Sequence, residues 1–344
     1  MNKLFRFFAF VSISLMILCS FSSAQVTSVD TTFGAVPSIP IPSTAAIQHL
    51  VQPDGKIVAW GAQLVADGKA SGDVVRLNAN GTVDQTFSYC GCGLVTLSNV
   101  VLQPNGQLIL AGAGQTAKMI RLNSDGSIDP SFVSGTPPNP FGASVFTAVA
   151  IQPDGKIFAY RRQAQTGFAE LSLFRFNQDG SVDSGFSSIF MTSGSPAAGN
   201  VGGLSFLPDG RFYLAVTQGT FGSSSTLRRY NSDGSVDSTW ETPSFSSGGF
   251  PTSVSINSIS LESAGSVLVS GKWDTVNGLA KPNLIRLLSG GNVDLTFSPS
   301  TSLSGNGVQA LSDGRILFSQ LIDVGGIVKL YRLNSDGSLD MSFT

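Results

Sequence analysis

The chain has 344 residues, a formal net charge of −2 and only 12% charged residues. That is about half the charged share of an ordinary soluble domain, and the absence of any basic excess argues against nucleic acid as a partner. A single histidine, His49, leaves a Ser-His-Asp triad or a histidine-based metal site almost nothing to draw on.

The first element in chain order is a leader. Lys3 and Arg6 precede an apolar run from Phe7 to Phe21, and Ser22-Ser23-Ala24 places small residues at the −3 and −1 positions of a cleavage site. This predicts a secretory signal peptide over 1–24 and a mature chain over 25–344, with net charge −4 once Lys3 and Arg6 are gone. Cys19 would suit a lipoprotein, but Leu18 stands where a small residue is needed. No later segment has 18 uninterrupted apolar residues, so no membrane span is expected in the mature chain. The expected location is secreted, extracellular or at the cell surface, with the periplasm as the other compartment such a leader serves. Next comes Ser28-Val29-Asp30-Thr31-Thr32-Phe33, an isolated copy of a strand that recurs downstream, here without an arginine strand of its own. We expect this strand, 28–33, to cap or close the fold. Cys90-Gly91-Cys92 follows later; export permits a disulfide, a two-residue spacing would strain one, and both states stay open.

From there the chain repeats one sentence six times. An apolar strand ends in Arg, an Asn-x-Asp-Gly turn follows, then Ser/Thr-Val/Ile/Leu-Asp and an aromatic. Arg121–Phe132, Arg175–Phe186, Arg229–Trp240 and Arg332–Phe343 are clear copies; Arg76–Phe87 and Arg286–Phe297 are looser. Upstream of each Arg lies a second turn: Gln52-Pro53-Asp54-Gly55, Gln103-Pro104-Asn105-Gly106, Gln152-Pro153-Asp154-Gly155, Leu207-Pro208-Asp209-Gly210, and the degenerate Ser263-Ala264-Gly265 and Ser312-Asp313-Gly314. Pro presets the first turn position and Gly accepts the left-handed one, so each motif joins two strands of a hairpin. With Ser124-Asp125-Gly126 as the loop, Leu122 faces Ile128 and Arg121 faces Asp129. The same register pairs Arg76 with Asp84, Arg175 with Asp183, Arg229 with Asp237, Arg286 with Asp294 and Arg332 with Asp340.

Four antiparallel strands recurring at this interval predict an all-β fold, a β-propeller of four-stranded blades. Six repeats, over about 47–87, 98–132, 147–186, 202–240, 257–297 and 307–343, give six blades. A seventh would have to come from a partner chain or from further residues.

The paired motifs Gln-Pro-Asp-Gly-Lys and Arg-Leu-Asn-Ser-Asp-Gly-Ser-Val-Asp-x-x-Phe resemble the bacterial delta-60 repeat family of β-propellers. The resemblance runs from Ser28 to Phe343. It implies a propeller in secreted or cell-surface bacterial proteins and implies no catalytic reaction. The fifth repeat departs from the pattern, with no Pro-Asp in its first turn and Leu288 in place of Asn.

The repeat absorbs most of the acidic residues. Of 22, all but seven sit in the Asp-aromatic strand or in the two turns. The seven are Asp67, Asp73, Glu170, Glu241, Glu262, Asp274 and Asp323. Asn123–Asp129 looks like the middle of a calcium loop, but Arg121 stands where its first carboxylate should be, so no metal and no cofactor are expected. Exposed aromatics on the irregular loops (Phe141, Phe221, Phe245, Phe250 and Trp273) are the candidate binding residues. Arg161, Arg162 and Arg228 are read as solvated charges.

The functional expectation is a secreted or cell-surface, non-catalytic binding or structural module, its partner an extracellular protein or glycan. One alternative is a propeller enzyme (hydrolase, lyase or lactonase) acting on an extracellular carbohydrate with Glu170, Glu262 or Asp274. Another is a calcium-stabilised surface module.

Overall fold

The computed structural model describes residues 48–66, 69–91, 93–114, 116–137, 144–165, 168–193, 199–218, 224–248, 254–281, 283–299, 305–321 and 328–343. The leader, the 28–33 strand, Cys92, Phe141, Phe221 and Phe250 lie outside them. Cys90 is disulfide-bonded.

Among the described residues every regular element is a strand, and the strands group by repeat. The first sheet holds β1 (Gln48–Val51), β2 (Ile57–Ala66) and β3 (Lys69–Leu77); the second β4 (Thr96–Leu102), β5 (Leu108–Ala113) and β6 (Ala117–Leu122). The third holds β7 (Ser144–Ile151), β8 (Ile157–Gln165), β9 (Phe168–Phe176) and β10 (Ile189–Ser193); the fourth β11 (Gly199–Phe206), β12 (Phe212–Gln218) and β13 (Ser224–Tyr230). The fifth holds β15 (Ser255–Leu261), β16 (Val267–Lys272) and β19 (Leu284–Leu287), with a small satellite sheet of β14 (Phe245–Ser246), β17 (Thr275–Val276) and β18 (Leu279–Ala280). The sixth holds β20 (Gly307–Ala310), β21 (Ile316–Leu321) and β22 (Val328–Leu333). The chain divides into two compact units. One contains Ala24–Ala164 and Glu170–Phe190, hence the first two sheets and most of the third; the other contains Gln165–Ala169 and Met191–Thr344.

Among the described residues the sheets have three strands where four were expected, the third excepted. The Ser-Val-Asp segment makes only one bridge, Leu122 to Ile128 in the second repeat and its equivalents elsewhere. The reason is local. Asp129 Oδ1 accepts the Ser131 N–H at 2.9 Å and its hydroxyl at 2.7 Å, and the Phe132 N–H closes on the Asp129 carbonyl at 3.3 Å. A side chain that bonds the backbone two residues on folds the chain into a turn and ends the ladder. In the third repeat the chain recovers and adds β10 beside β9.

Within each unit the core lies between consecutive sheets, and strand alternation places it there. On β5, Leu108 and Leu110 join a cluster with Val58, Trp60 and Phe87 of the first repeat. Ile109 and Ala111, pointing the other way, join Phe146, Ile157 and Phe174 of the third. β16 does the same, with Val267 and Val269 packed against Tyr213 and Trp240, and Leu268 against Phe318 and Leu333. A strand buried on both faces reads as a continuous apolar run, which is why the residues on both sides of five of the six arginines are apolar, Arg228 beside Arg229 being the exception. The first strands of neighbouring repeats also lie against each other, β4 on β7, β11 on β15 and β15 on β20. Side-chain bonds tie some of them: Asn99 Oδ1 accepts the Val149 N–H at 3.1 Å, and Ser260 Oγ accepts the Ala310 N–H at 2.9 Å.

The satellite sheet has its own turn. Asn277 and Gly278 sit at φ 51° and 78° between β17 and β18, the backbone a two-residue hairpin demands and Asn-Gly supplies.

Candidate functional site

The two repeat turns of a blade lie side by side at one end of its sheet: Gln178 Nε2 of the second turn donates to the Asp154 carbonyl of the first at 2.8 Å. The irregular connections, β2 to β3, β8 to β9 and the segments entering each first strand, therefore fall at the opposite end. Each sheet thus has a repeating end and a variable end, and candidate residues sort between them.

At the repeating end the structure brings all six Arg–Asp pairs together, and each pair belongs to a larger node. Arg121 donates from Nε to Asp129 Oδ2 at 2.8 Å, from Nη2 to Ser131 Oγ at 3.1 Å, and from Nη1 to the Gln178 carbonyl of the next repeat at 2.7 Å. Its guanidinium lies 5.0 Å from the centre of the Phe132 ring. Arg76 reaches Asp84 and the Ser124 carbonyl, and Arg229 reaches Asp237 and the Ser289 carbonyl, in the same way. Arg175 binds Asp183 at 2.7 Å and Arg332 binds Asp340 at 2.6 Å. A planar fork with five donors can serve two repeats and stack on a ring at once; an ammonium cannot.

The residue after the aromatic adds a backbone bond to the same neighbouring turn. Ser88 N–H donates to the Asp125 carbonyl at 2.8 Å, Val133 to Asp179 at 3.0 Å, Glu241 to Gly290 at 2.9 Å and Ser298 to Asp336 at 2.9 Å. The turn glycine receives this element at contact distance: a Cβ on Gly126, at φ +86°, would lie 2.8 Å from the Ser88 carbonyl. The repeated sentence is therefore a joint between blades as well as a rung within one. The sequence reading found the rung; the joint escaped it because the partner lies a whole repeat away.

These nodes hold their carboxylates ionised. Burial pushes Asp84 and Asp237 up, but the hydroxyls of Thr86 and Thr239, with Lys56 and Arg76 or Arg229 and Arg211, outweigh it and leave both well below the usual carboxylate range. Asp129 and Asp340 are held down first by the hydroxyls of Ser131 and Ser342 and then by their backbone N–H groups and arginines. The acids of the calcium-like loop are thus engaged: Asp125 Oδ1 takes the Ser127 N–H and hydroxyl, and Asp129 takes Arg121, Gln107 and Ser131. Among the described residues no three His, Cys, Asp or Glu side chains gather as metal ligands.

The spare acids are dispersed. Glu262 binds Arg286 with both oxygens and accepts the Ser266 hydroxyl at 2.7 Å. Asp274 is exposed and caps the backbone of Gly248 at 2.8 Å. Glu170 is buried, accepting Arg161 Nη2 at 3.3 Å and the Ser172 hydroxyl at 2.7 Å. Asp67 and Asp323 lie outside the described residues, and His49 is exposed on β1 opposite Ala59.

Two sequence readings need correction. Arg161 is not a solvated charge: it is 1% exposed, 4.6 Å from the centre of the Phe174 ring, and paired with Glu170 across the β8–β9 hairpin. The signal was hairpin arithmetic, two opposite charges placed about the 166–167 connection. Arg162 and Arg228 are exposed. Trp273 is not an exposed binding aromatic either. Its indole is 1% exposed, packs edge-on to Phe245 at 4.8 Å, and donates its N–H to the Lys281 carbonyl at 2.7 Å. A buried indole needs both an apolar bed and an acceptor, and the satellite sheet supplies them. Phe245 is half-buried against the same core. On β10, Phe190 is 57% exposed and meets Phe174 edge-on at 5.9 Å; Phe174 precedes the node residue Arg175 on β9, so this ring stands nearer the repeating end of the third sheet.

No curated protein matches the chain. Among solved structures, the β-propeller domain of the Trilobed protease from Pyrococcus furiosus is similar with a TM-score of 0.50 and 12% identity, over 86% of this chain and 84% of that one. Prolyl oligopeptidase B from Galerina marginata gives 0.51 and 11%, over 90% of this chain and 44% of that chain. Virginiamycin B lyase from Staphylococcus aureus gives 0.46 and 12%, over 83% and 88%. At such identities the first two speak for the propeller fold alone. A family profile described as "Domain of unknown function (DUF5122) beta-propeller" matches residues 52–87, 103–132, 152–186, 207–239, 264–297 and 311–343, the same six stretches that carry the turns and nodes. Those stretches make up more than half of the sequence, and the chain belongs to the DUF5122 β-propeller family.

Proposed function

We propose that this chain is an exported, non-catalytic β-propeller of six blades that binds an extracellular protein or glycan through the variable ends of its sheets. The supporting observation is the segregation itself. Residues that recur are spent on turns and nodes at one end, while exposed, non-recurring side chains such as Val95, 78% exposed where the chain enters β4, stand at the other. Rigid sheets carrying irregular loops suit recognition. The leader over 1–24 supports export, and no helix among the described residues is long and apolar enough to cross a membrane. The test is a screen of the chain from Gln25 against surface glycans and surface proteins. Saturable binding that is lost in Val95→Asp and kept in Asp129→Asn supports the reading; equal losses in both would contradict it.

The enzyme reading, a hydrolase, lyase or lactonase on an extracellular carbohydrate, is favoured by one feature. Glu170, with Arg161 and Ser172, is a buried polar group that the repeat does not require. Turnover of a carbohydrate or lactone that disappears in Glu170→Gln while the fold persists would establish it in place of the first.

A further inference from the structure

Four joints between repeats follow one rule. The element Asp-x-x-aromatic, with the residue after it, docks on the turn of the next repeat in sequence. Asp84–Ser88 docks on Asn123–Gly126, Asp129–Val133 on Asn177–Gly180, Asp237–Glu241 on Leu288–Gly291, and Asp294–Ser298 on Asn334–Gly337. The first turn, Asn78–Gly81, has the same build: Gly81 N–H bonds to the Asn78 carbonyl at 2.9 Å, and Gly81 sits at φ +85°. Gly81 is also buried, like its five equivalents, although no Asp-aromatic element precedes it among the described residues.

The sequence holds one such element upstream. Asp30-Thr31-Thr32-Phe33-Gly34 reproduces Asp84-Gln85-Thr86-Phe87-Ser88, including the hydroxyl two residues after the Asp. Phe33 precedes Gly81 by 48 residues, the interval that separates Phe132 from Gly180. At the other end of the series Phe343 is half-buried, whereas Phe87, Phe132, Phe186, Trp240 and Phe297 are buried.

We propose that Asp30–Gly34 docks on Asn78–Gly81, with Phe33 covering Gly81 and the Gly34 N–H donating to the Asn80 carbonyl, as Ser88 does to Asp125. The N-terminal segment is then the missing half of a joint and is required for the first blade.

Paired cysteines test this on the full chain. Gly34→Cys with Asn80→Cys is expected to cross-link under mild oxidation, read by non-reducing mobility and peptide mapping. Thr344→Cys with Asn80→Cys is expected to stay open; Thr344 follows Phe343 and is the competing occupant. Phe33→Ala is expected to lower Tm by roughly 5 °C or more, as Phe87→Ala would, and to speed amide exchange at Gly81. Where the first cross-link fails, that Tm and exchange result alone decides. Cross-linking from Thr344 instead of Gly34 overturns the proposal, and so does Phe33→Ala with unchanged Tm and unchanged Gly81 exchange.

Discussion

Glu262 grips Arg286 with both oxygens, Oε2 to Nε at 2.7 Å and Oε1 to Nη2 at 2.8 Å, and leaves Asp294 3.5 Å from Nη1. It takes the position that Asp fills in the other repeats. The reason lies four residues on. Four other repeats place Lys56, Lys156, Arg211 or Arg315 against the node Asp and the second places Gln107, whereas Ser266 of the fifth turns its hydroxyl to Glu262 instead. The sequence departure in this repeat is therefore a coupled exchange, a cation lost and a carboxylate gained. Glu262→Ala should destabilise by about 2 kcal/mol, the scale of hydrogen bonds to a charged group. Glu262→Gln with Ser266→Lys should recover most of it by rebuilding the ordinary node. Urea unfolding of the single and double variants checks both.

Gly106 and Gly126 share φ +86° but differ in surroundings. A Cβ on Gly106 meets nothing within 4 Å, whereas one on Gly126 runs into the Ser88 backbone. Gly106→Ala should cost about 1 kcal/mol, the left-handed penalty alone. Gly126→Ala should cost about 1 kcal/mol more than that, because it also forces the joint open. Equal losses in the two variants would show that the contact contributes nothing.

Arg161 and Glu170 form a buried pair outside the repeat. Burial pushes the Arg161 pKa down, with Glu170 opposing. Glu170→Ala strands the arginine and should cost about 3 to 5 kcal/mol, while Arg161→Met with Glu170→Leu should be near neutral or stabilising. Thermal melts of the single and double variants provide the comparison.

Acid should unfold this protein through its nodes. The folded pKa values of Asp84, Asp129, Asp237 and Asp340 are depressed, so their contribution is fully present above the unfolded value of about 3.9 and is lost as pH falls below it toward the folded values. Urea midpoints should be level from about pH 5 to pH 8 and fall below about pH 4. Asp129→Asn should be weaker at pH 7 and show a shallower acid limb.

Much of the fold was legible because strand and turn signals are local. Pro-Asp-Gly, Asn-x-Asp-Gly and the register that sets Arg121 opposite Asp129 are all read within about a dozen residues. What was not legible depends on distant or hidden partners. The Arg121 bond to Gln178 spans 57 residues. The fourth strand shrank to one bridge because the node Asp side chain takes the backbone N–H two residues on, Ser131 at Asp129 and Gly185 at Asp183. Trp273 read as exposed because its cover, β14 and β17, comes from short segments with weak strand patterning. The candidate binding surface is the least legible part, since it lies where the sequence does not repeat and no second copy shows which residues matter.

The Arg–Asp–aromatic sentence joins one blade to the next. Hydrogen exchange in Arg121→Ala tests it most directly, because Arg121 belongs to the second repeat and its Nη1 acceptor to the third. Protection should fall at Val133 and Gly135, whose N–H groups bond the Asp179 and Gly180 carbonyls of the third repeat, together with Asp129 in its own hairpin. Loss confined to the Arg121–Asp129 hairpin, with Val133 and Gly135 protected as before, would contradict it.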